Sequence, residues 1–277
     1  AAAATGTALT QPPAARQPGQ QRTNPGQQGT NSGQARTNRA FIEFREYHCA
    51  TVEKKQQWMT ILDNAMIPAM NRLNITPVGV FETSAELNAG DRGYDKANDL
   101  KVYLLCQYRN MTQMTSLAPR LLADETFRTD AADVFAAPMN EPIYETCEST
   151  LMYGFPNCPQ IEVPTLDADR LLQIRFYKSY NIERNAAKIA MFDPDGELAL
   201  FRQCGMTPVF FGETLAGRMM PNLTYMLGFK NAAEKDAAWA KFVASPEWKE
   251  LSGSPKYKDT ANKIVNIFLK PSPKSQI

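Results

Sequence analysis

An internal duplication is the strongest constraint on what this chain can fold into. Displaced by 121 residues, Asn231 falls on Asn110, Phe242 on Leu121, Ala244 on Ala123 and Trp248 on Phe127. Displaced by 131, TPVFFGET (207–214) falls on TPVGVFET (76–83), and by 130, RFYKSYNIER (175–184) falls on REYHCATVEK (45–54). The matches keep one order, and their small differences in offset are what loop insertions produce. Self-similarity at a fixed spacing means that one supersecondary unit is used more than once. The expectation is two copies, 41–155 and 169–270, joined by a proline-bearing linker at 156–168, with tails at 1–40 and 271–277.

The content of one copy follows from periodicity. Leu223 to Phe229 is apolar and aromatic, as a largely buried strand requires. Ala238, Trp239, Phe242 and Val243 recur at helical spacing, with Glu234, Lys235, Asp236 and Lys241 opposite. Ser245-Pro246 ends that helix, since the residue before proline avoids helical backbone, and Trp248 is expected to fold back as an anchor. Earlier in the copy come a strand over Leu171–Tyr177, a helix over 182–192, a DPDG turn, a short helix over 197–204 and a strand over 207–213; KIVNIFL closes it. The first copy runs in parallel, with strands over Phe41–Tyr47, Thr76–Thr83, Lys101–Tyr108 and Ile143–Tyr153, and helices over 50–73 and 111–123. Each copy is then β-α-β-β-α-β, a ferredoxin-like unit with two helices on one sheet face. The fold class is α+β, with the bare faces of the two tandem units packed sheet to sheet as a fused barrel and self-association expected through exposed sheet edges or helices.

Residues 1–40 hold Ala, Gln, Gly, Pro, Thr and Asn, four arginines and no acid. Such a segment buries too little apolar surface to fold. Its AAAATGTALT opening reads as the remains of, or the residues just after, an Ala-rich export signal, so a periplasmic or extracellular location is expected. A mitochondrial transit segment is the alternative, but the Gln/Gly content gives no amphipathic face. A net charge of +1 supplies no basic surface for nucleic acid. No apolar run is long enough for a transmembrane segment. Cys49, Cys106, Cys147, Cys158 and Cys204 form no CxxC pair. Cys147 and Cys158 are the pair able to close a small disulfide loop; otherwise all five are ordinary thiols. With a single histidine and no CxxC pair a Cys/His zinc site is not expected, and no metal or cofactor is expected.

Strand alternation nominates a site. If Ile42, Phe44 and Leu172, Ile174, Phe176 meet the helices, then Glu43, Arg45, Tyr47 and Gln173, Arg175, Tyr177 face the interior between the copies. Two arginines there would hold a small anionic molecule, or would be spent in an internal Arg–Glu and Arg–Tyr network. Glu82 and Glu213 recur at matching strand ends and could pair with those arginines. NIT, NMT and NLT at 74, 110 and 222 match the glycosylation pattern, and the last opens a buried strand. Walker, GxGxxG, GxSxG and HExxH motifs are absent from the sequence.

EFREYHC (43–49), QIRFYKS (173–179), the segment MPNLTYMLGF–AWAKFVASPEW (220–248) and the paired PVGVFET and PVFFGET strands resemble the NIPSNAP family of the dimeric α/β-barrel superfamily. The likeness spans about 40–270, and the first half departs from pattern at Phe127, where Trp is expected. The resemblance, closest to bacterial members with an export signal, implies two fused ferredoxin-like repeats and a binding or protein-interaction role, with homo-oligomers or protein partners. It supplies no family-wide catalytic residue. Relatives in the superfamily include haem enzymes with a proximal histidine; the strand phase places His48 with Ile42 and Phe44 on the helix side, which argues against such a role. The alternative to a binding protein is a monooxygenase- or isomerase-type enzyme using the Arg/Tyr pocket.

Overall fold

The computed structural model describes residues 38–90 and 94–277; the expected tail over 1–40 lies almost wholly outside the described residues. Eight strands form the frame: β1 (Phe41–His48), β2 (Gly79–Thr83), β3 (Lys101–Tyr108), β4 (Thr146–Gly154), β5 (Leu171–Lys178), β6 (Thr207–Ala216), β7 (Asn222–Phe229) and β8 (Lys263–Pro271). They close into an antiparallel barrel in the order β1-β3-β2-β8-β5-β7-β6-β4. In each half the strands lie 4-1-3-2, the order of a β-α-β-β-α-β unit. Closure is by edge-to-edge pairing of β2 with β8 and β4 with β6. The expected barrel is therefore closed as one continuous sheet shared by the halves, with edges paired where faces were expected to stack. Their edges are consumed within the chain, so edge-mediated self-association has no free strand to use among the described residues.

Helices cover the outside, and their starts are written locally. Thr51 and Asn181 accept hydrogen bonds from Lys54 N and Arg184 N at the first helix of each half. Asn110 and Asn231 do the same for Gln113 N and Glu234 N at the next crossover. Short side-chain acceptors at this position satisfy the free amides of a first turn. The helix expected over 50–73 is built of Val52–Ile61, a π-helical turn Leu62–Met66 and Ile67–Arg72. Pro68, which has no amide hydrogen to give, is the second residue after the π turn, a wider geometry that accommodates such a break. Pro246 ends one helix as expected but also opens another, Pro246–Gly253, because proline is favoured in a first turn. Trp248 thus lies on a helix and packs against Phe242, ring centres 4.5 Å apart and tilted by 36°. No helix among the described residues is long and apolar enough to cross a membrane.

The barrel interior reverses the expected strand phase. Ile42, Phe44, Leu172, Ile174 and Phe176 point inward, where they join Phe81, Tyr103, Leu105, Met152, Phe210, Met226 and Ile267 in one core. An eight-stranded barrel has room for side chains and little else, so the bulky apolar set belongs inside. The opposite strand faces are buried too, under the helices of each half, in cores around Trp58 and around Phe201. Residues 272–277, expected as a tail, run beside β2: Ser272 N donates to Val80 O and Gln276 N to Val78 O. Ile277 is fully buried in the interior core.

The enclosed interior carries a stability prediction. Phe44→Ala and Phe176→Ala should each destabilise by about 3–5 kcal/mol, the range for truncating an enclosed aromatic. Urea unfolding monitored by circular dichroism reads this; losses below about 1 kcal/mol would place both rings outside a packed interior.

Candidate functional site

The reversed phase carries Glu43, Arg45, Tyr47, Gln173, Arg175 and Tyr177 to the outer sheet face, beneath the helices. Because three strands separate β1 from β5 in either direction round the barrel, the two arginine clusters are on opposite sides and share no pocket. The expected anion site between the halves is therefore absent; its space holds the apolar core.

In the first half the cluster is closed upon itself. The Arg45 guanidinium donates to Glu43 Oε2 at 2.9 Å, Tyr108 OH donates to the same oxygen at 2.6 Å, and Ser149 Oγ donates to Oε1 at 2.7 Å. Arg45 also reaches the Tyr47 hydroxyl at 3.4 Å. Tyr47 packs edge-on against Trp58 and Tyr144, each at 5.0 Å. Burial pushes the Glu43 carboxyl up, but the Arg45 charge and the three donors outweigh it and hold the group below its ordinary value. Glu43 thus stabilises the fold above the ordinary carboxylate range, and the contribution fades as pH falls through the lowered value. Accordingly, Glu43→Gln should destabilise clearly at about pH 7 and much less at about pH 3. Parallel urea titrations at the two pH values test this; an equal loss at both would deny the carboxylate its role.

The second half keeps the arginine and loses its acid. Gln173 stands where the first half has Glu43, donating to Asn266 Oδ1 at 2.7 Å and accepting from Trp239 Nε1 at 2.7 Å. Arg175 donates to the Tyr225 hydroxyl at 3.3 Å. Its carbon Cζ lies 5.2 Å from the Tyr177 ring centre and 5.1 Å from that of Trp239. Its Nε is buried with no hydrogen-bond partner, and no carboxylate pairs with it among the described residues. Where Trp58 fills the first half, Lys188 occupies the matching helix position (Ile182–Phe192). Lys188 Nζ meets Glu197 Oε2 at 3.2 Å, with both side chains almost wholly buried. Burial lowers the Lys188 pKa, partly offset by the Glu197 charge, and burial raises that of Glu197, partly offset by Lys188. A cleft of about 470 Å³ opens here, walled by Arg175, Tyr177, Lys188, Trp239 and Trp248. Its size is that of a small-molecule site, with apolar walls and a few polar groups.

His48 shares the inward phase of Ile42 and Phe44, opposite to the helix side expected, and sits at the barrel mouth with Nε2 3.8 Å from Glu148. Glu82 pairs with Lys55 at 2.7 Å, and Glu213 is in no ion pair among the described residues, so neither meets an arginine. All five thiols are free, so Cys147 and Cys158 are not bridged. No metal-holding group of His, Cys, Asp or Glu occurs among the described residues. Sequence reasoning missed the charged layer at one barrel mouth, where Glu46 binds Lys101 at 3.1 Å and Arg218 at 2.7 Å. The available signal was an acid, Glu46, on the otherwise apolar face of β1.

The described residues form a closed antiparallel barrel with helices outside and a cation-bearing cleft in the second half. Residues 172–276, the half that holds the cleft, match the NIPSNAP family model. Over most of its length the chain is similar in fold to a "putative monooxygenase" of Lactobacillus acidophilus NCFM (9% identity, 84% of this chain and 94% of that one, TM-score 0.56). A second "putative monooxygenase", from Fusobacterium nucleatum, gives 6% identity over 84% and 92%, with a TM-score of 0.55. An uncharacterised NIPSNAP-like domain protein of Burkholderia xenovorans is 18% identical over 39% of this chain and 90% of that one, with a TM-score of 0.36. Comparison with curated proteins found no match.

Proposed function

We propose that this chain is a NIPSNAP-like binding protein for small organic anions, with one working site in the cleft of its second half. The observation that carries this is the state of Arg175: a guanidinium set in an open aromatic cleft, with Nε unpartnered and no carboxylate on it. A buried donor left unpaired is unfavourable, and an incoming carboxylate would relieve it through charge-assisted bonds. The first half is the internal control. It has the same strand order and matching helix caps, but Glu43 neutralises its arginine and Trp58 fills the space. The two halves are on this reading copies of one unit, of which the first became structural and the second kept a site. Export follows from the Ala-rich opening and is part of the same proposal.

The test uses 3-phenylpropionate, which joins a carboxylate to an aromatic ring. Trp239, against Arg175, should report saturable fluorescence quenching that disappears in Trp239→Phe. Quenching that is linear in ligand, or unchanged in that variant, would remove the site.

A further inference from the structure

The cleft holds more than an anion anchor. A lysine amine and a carboxylate 3.2 Å apart line it, almost fully buried. The Lys188 ammonium and the Arg175 guanidinium flank one aromatic ring, Tyr177, at 5.1 and 5.2 Å from its centre. A single small molecule is long enough to touch both. Resting on the anion-site reading above, we infer that Lys188 is a nucleophilic amine that forms an imine with aromatic 2-oxo acids, whose carboxylate Arg175 holds and whose carbonyl carbon faces Nζ.

The partners in this step are at hand. Burial acts on Lys188 and Glu197 in the same sense, favouring the neutral amine and the neutral acid over the ion pair. One proton passes from Nζ to Glu197 and frees the nitrogen lone pair. That pair forms the C–N bond while the C=O π electrons move to oxygen, which takes a proton from Glu197. Glu197 then receives a second nitrogen proton and delivers it to the hydroxyl, which leaves as water as the C=N bond forms. The carboxylate ends unchanged, and the balance is ammonium plus ketone giving protonated imine plus water. The other walls, Trp239, Phe242 and Trp248, suit the aromatic ring of such a ligand. In the first half the matching position is Trp58, 3% exposed against Tyr47, so that side has neither amine nor space.

The experiment treats the full chain with phenylpyruvate and sodium cyanoborohydride, which reduces imines in preference to ketones, and maps the adduct by peptide mass. One adduct at Lys188 is expected, lost in Lys188→Arg, which keeps the cation beside Glu197 but cannot form the imine. Glu197→Gln should slow labelling by about 100-fold, the scale of a lost general acid–base. 3-Phenylpropionate, which lacks the carbonyl, should protect. Adducts spread over exposed lysines, or none, overturn the inference. If 3-phenylpropionate still quenches Trp239 in that case, the anion site survives and only the nucleophile falls; if quenching is absent as well, both fall.

Discussion

Arg175→Gln is expected to weaken 3-phenylpropionate binding by about 10- to 100-fold and leave the fold in place, whereas Arg45→Gln should do the reverse. The two arginines occupy matching positions on β1 and β5 but differ in what faces them. Removing Arg175 forfeits a charge-assisted pair with the ligand, worth about 1.5–3 kcal/mol, and that range sets the fold-change. Within the protein it removes contacts to the Tyr177 and Trp239 rings, one bond to Tyr225 and the attraction of its charge for Glu197. It also takes away an unsatisfied donor, so the net stability change should be near 1 kcal/mol. Removing Arg45 strands Glu43, a carboxylate 3% exposed, with only Tyr108 and Ser149 to support it. Breaking a buried pair from one side costs about 3 kcal/mol or more. Isothermal titration and urea unfolding of both variants decide the matter. Equal losses of binding in the two would restore a shared pocket, and unfolding of Arg175→Gln would make that arginine structural.

Glu46→Gln should be the most damaging single polar change in the barrel. Glu46 is 1% exposed and is the common partner of Lys101, itself buried, and of Arg218, which also bridges to Glu148 at 3.2 Å. An amide there leaves the Lys101 ammonium in the barrel mouth without a countercharge. The expected loss is about 3–5 kcal/mol, or roughly 10 °C in melting temperature for a domain of this size. Scanning calorimetry measures it. Because Arg218 is more than a third exposed, Arg218→Gln should cost far less, under about 1 kcal/mol. Similar losses for the two would mean that the layer is not anchored on Glu46.

Much of this architecture was legible because its determinants are local. The strand over Lys101–Tyr108 and the helix over 182–192 have the bounds that composition and periodicity suggest. The asparagines at 110 and 231 mark helix starts in the sequence itself. What failed was the choice between two buried faces. β1 has apolar and polar residues buried on both sides, so alternation says which residues share a face but not which face is inside. The rule that apolar residues seek the helices put Ile42 and Phe44 on the wrong side, since a closed barrel has a second and drier interior. A fused barrel was expected, but the strand pairs that close it, β2 with β8 and β4 with β6, were not legible, because they join segments far apart in sequence. The candidate site was half legible. Alternation put Arg175 and Tyr177 on one face but assigned that face to the interior between the halves, whereas both wall the cleft beneath the helices; the contrast of Gln173 with Glu43 is visible when the two halves of the sequence are aligned. Lys188 and Glu197 were not found, because a turn separates their helices and only the packed structure brings the two groups together.

The most direct measurement is the ¹⁵N–¹H resonance of the Arg175 Nε, assigned by its loss in Arg175→Gln and followed while 3-phenylpropionate is added. A saturable shift of this resonance, with the Arg45 Nε unmoved, is the predicted result, because the unpartnered donor gains an acceptor in one half only. An Arg175 signal that stays still at saturating ligand, or an Arg45 signal that moves with it, would contradict a single anion site in the second half.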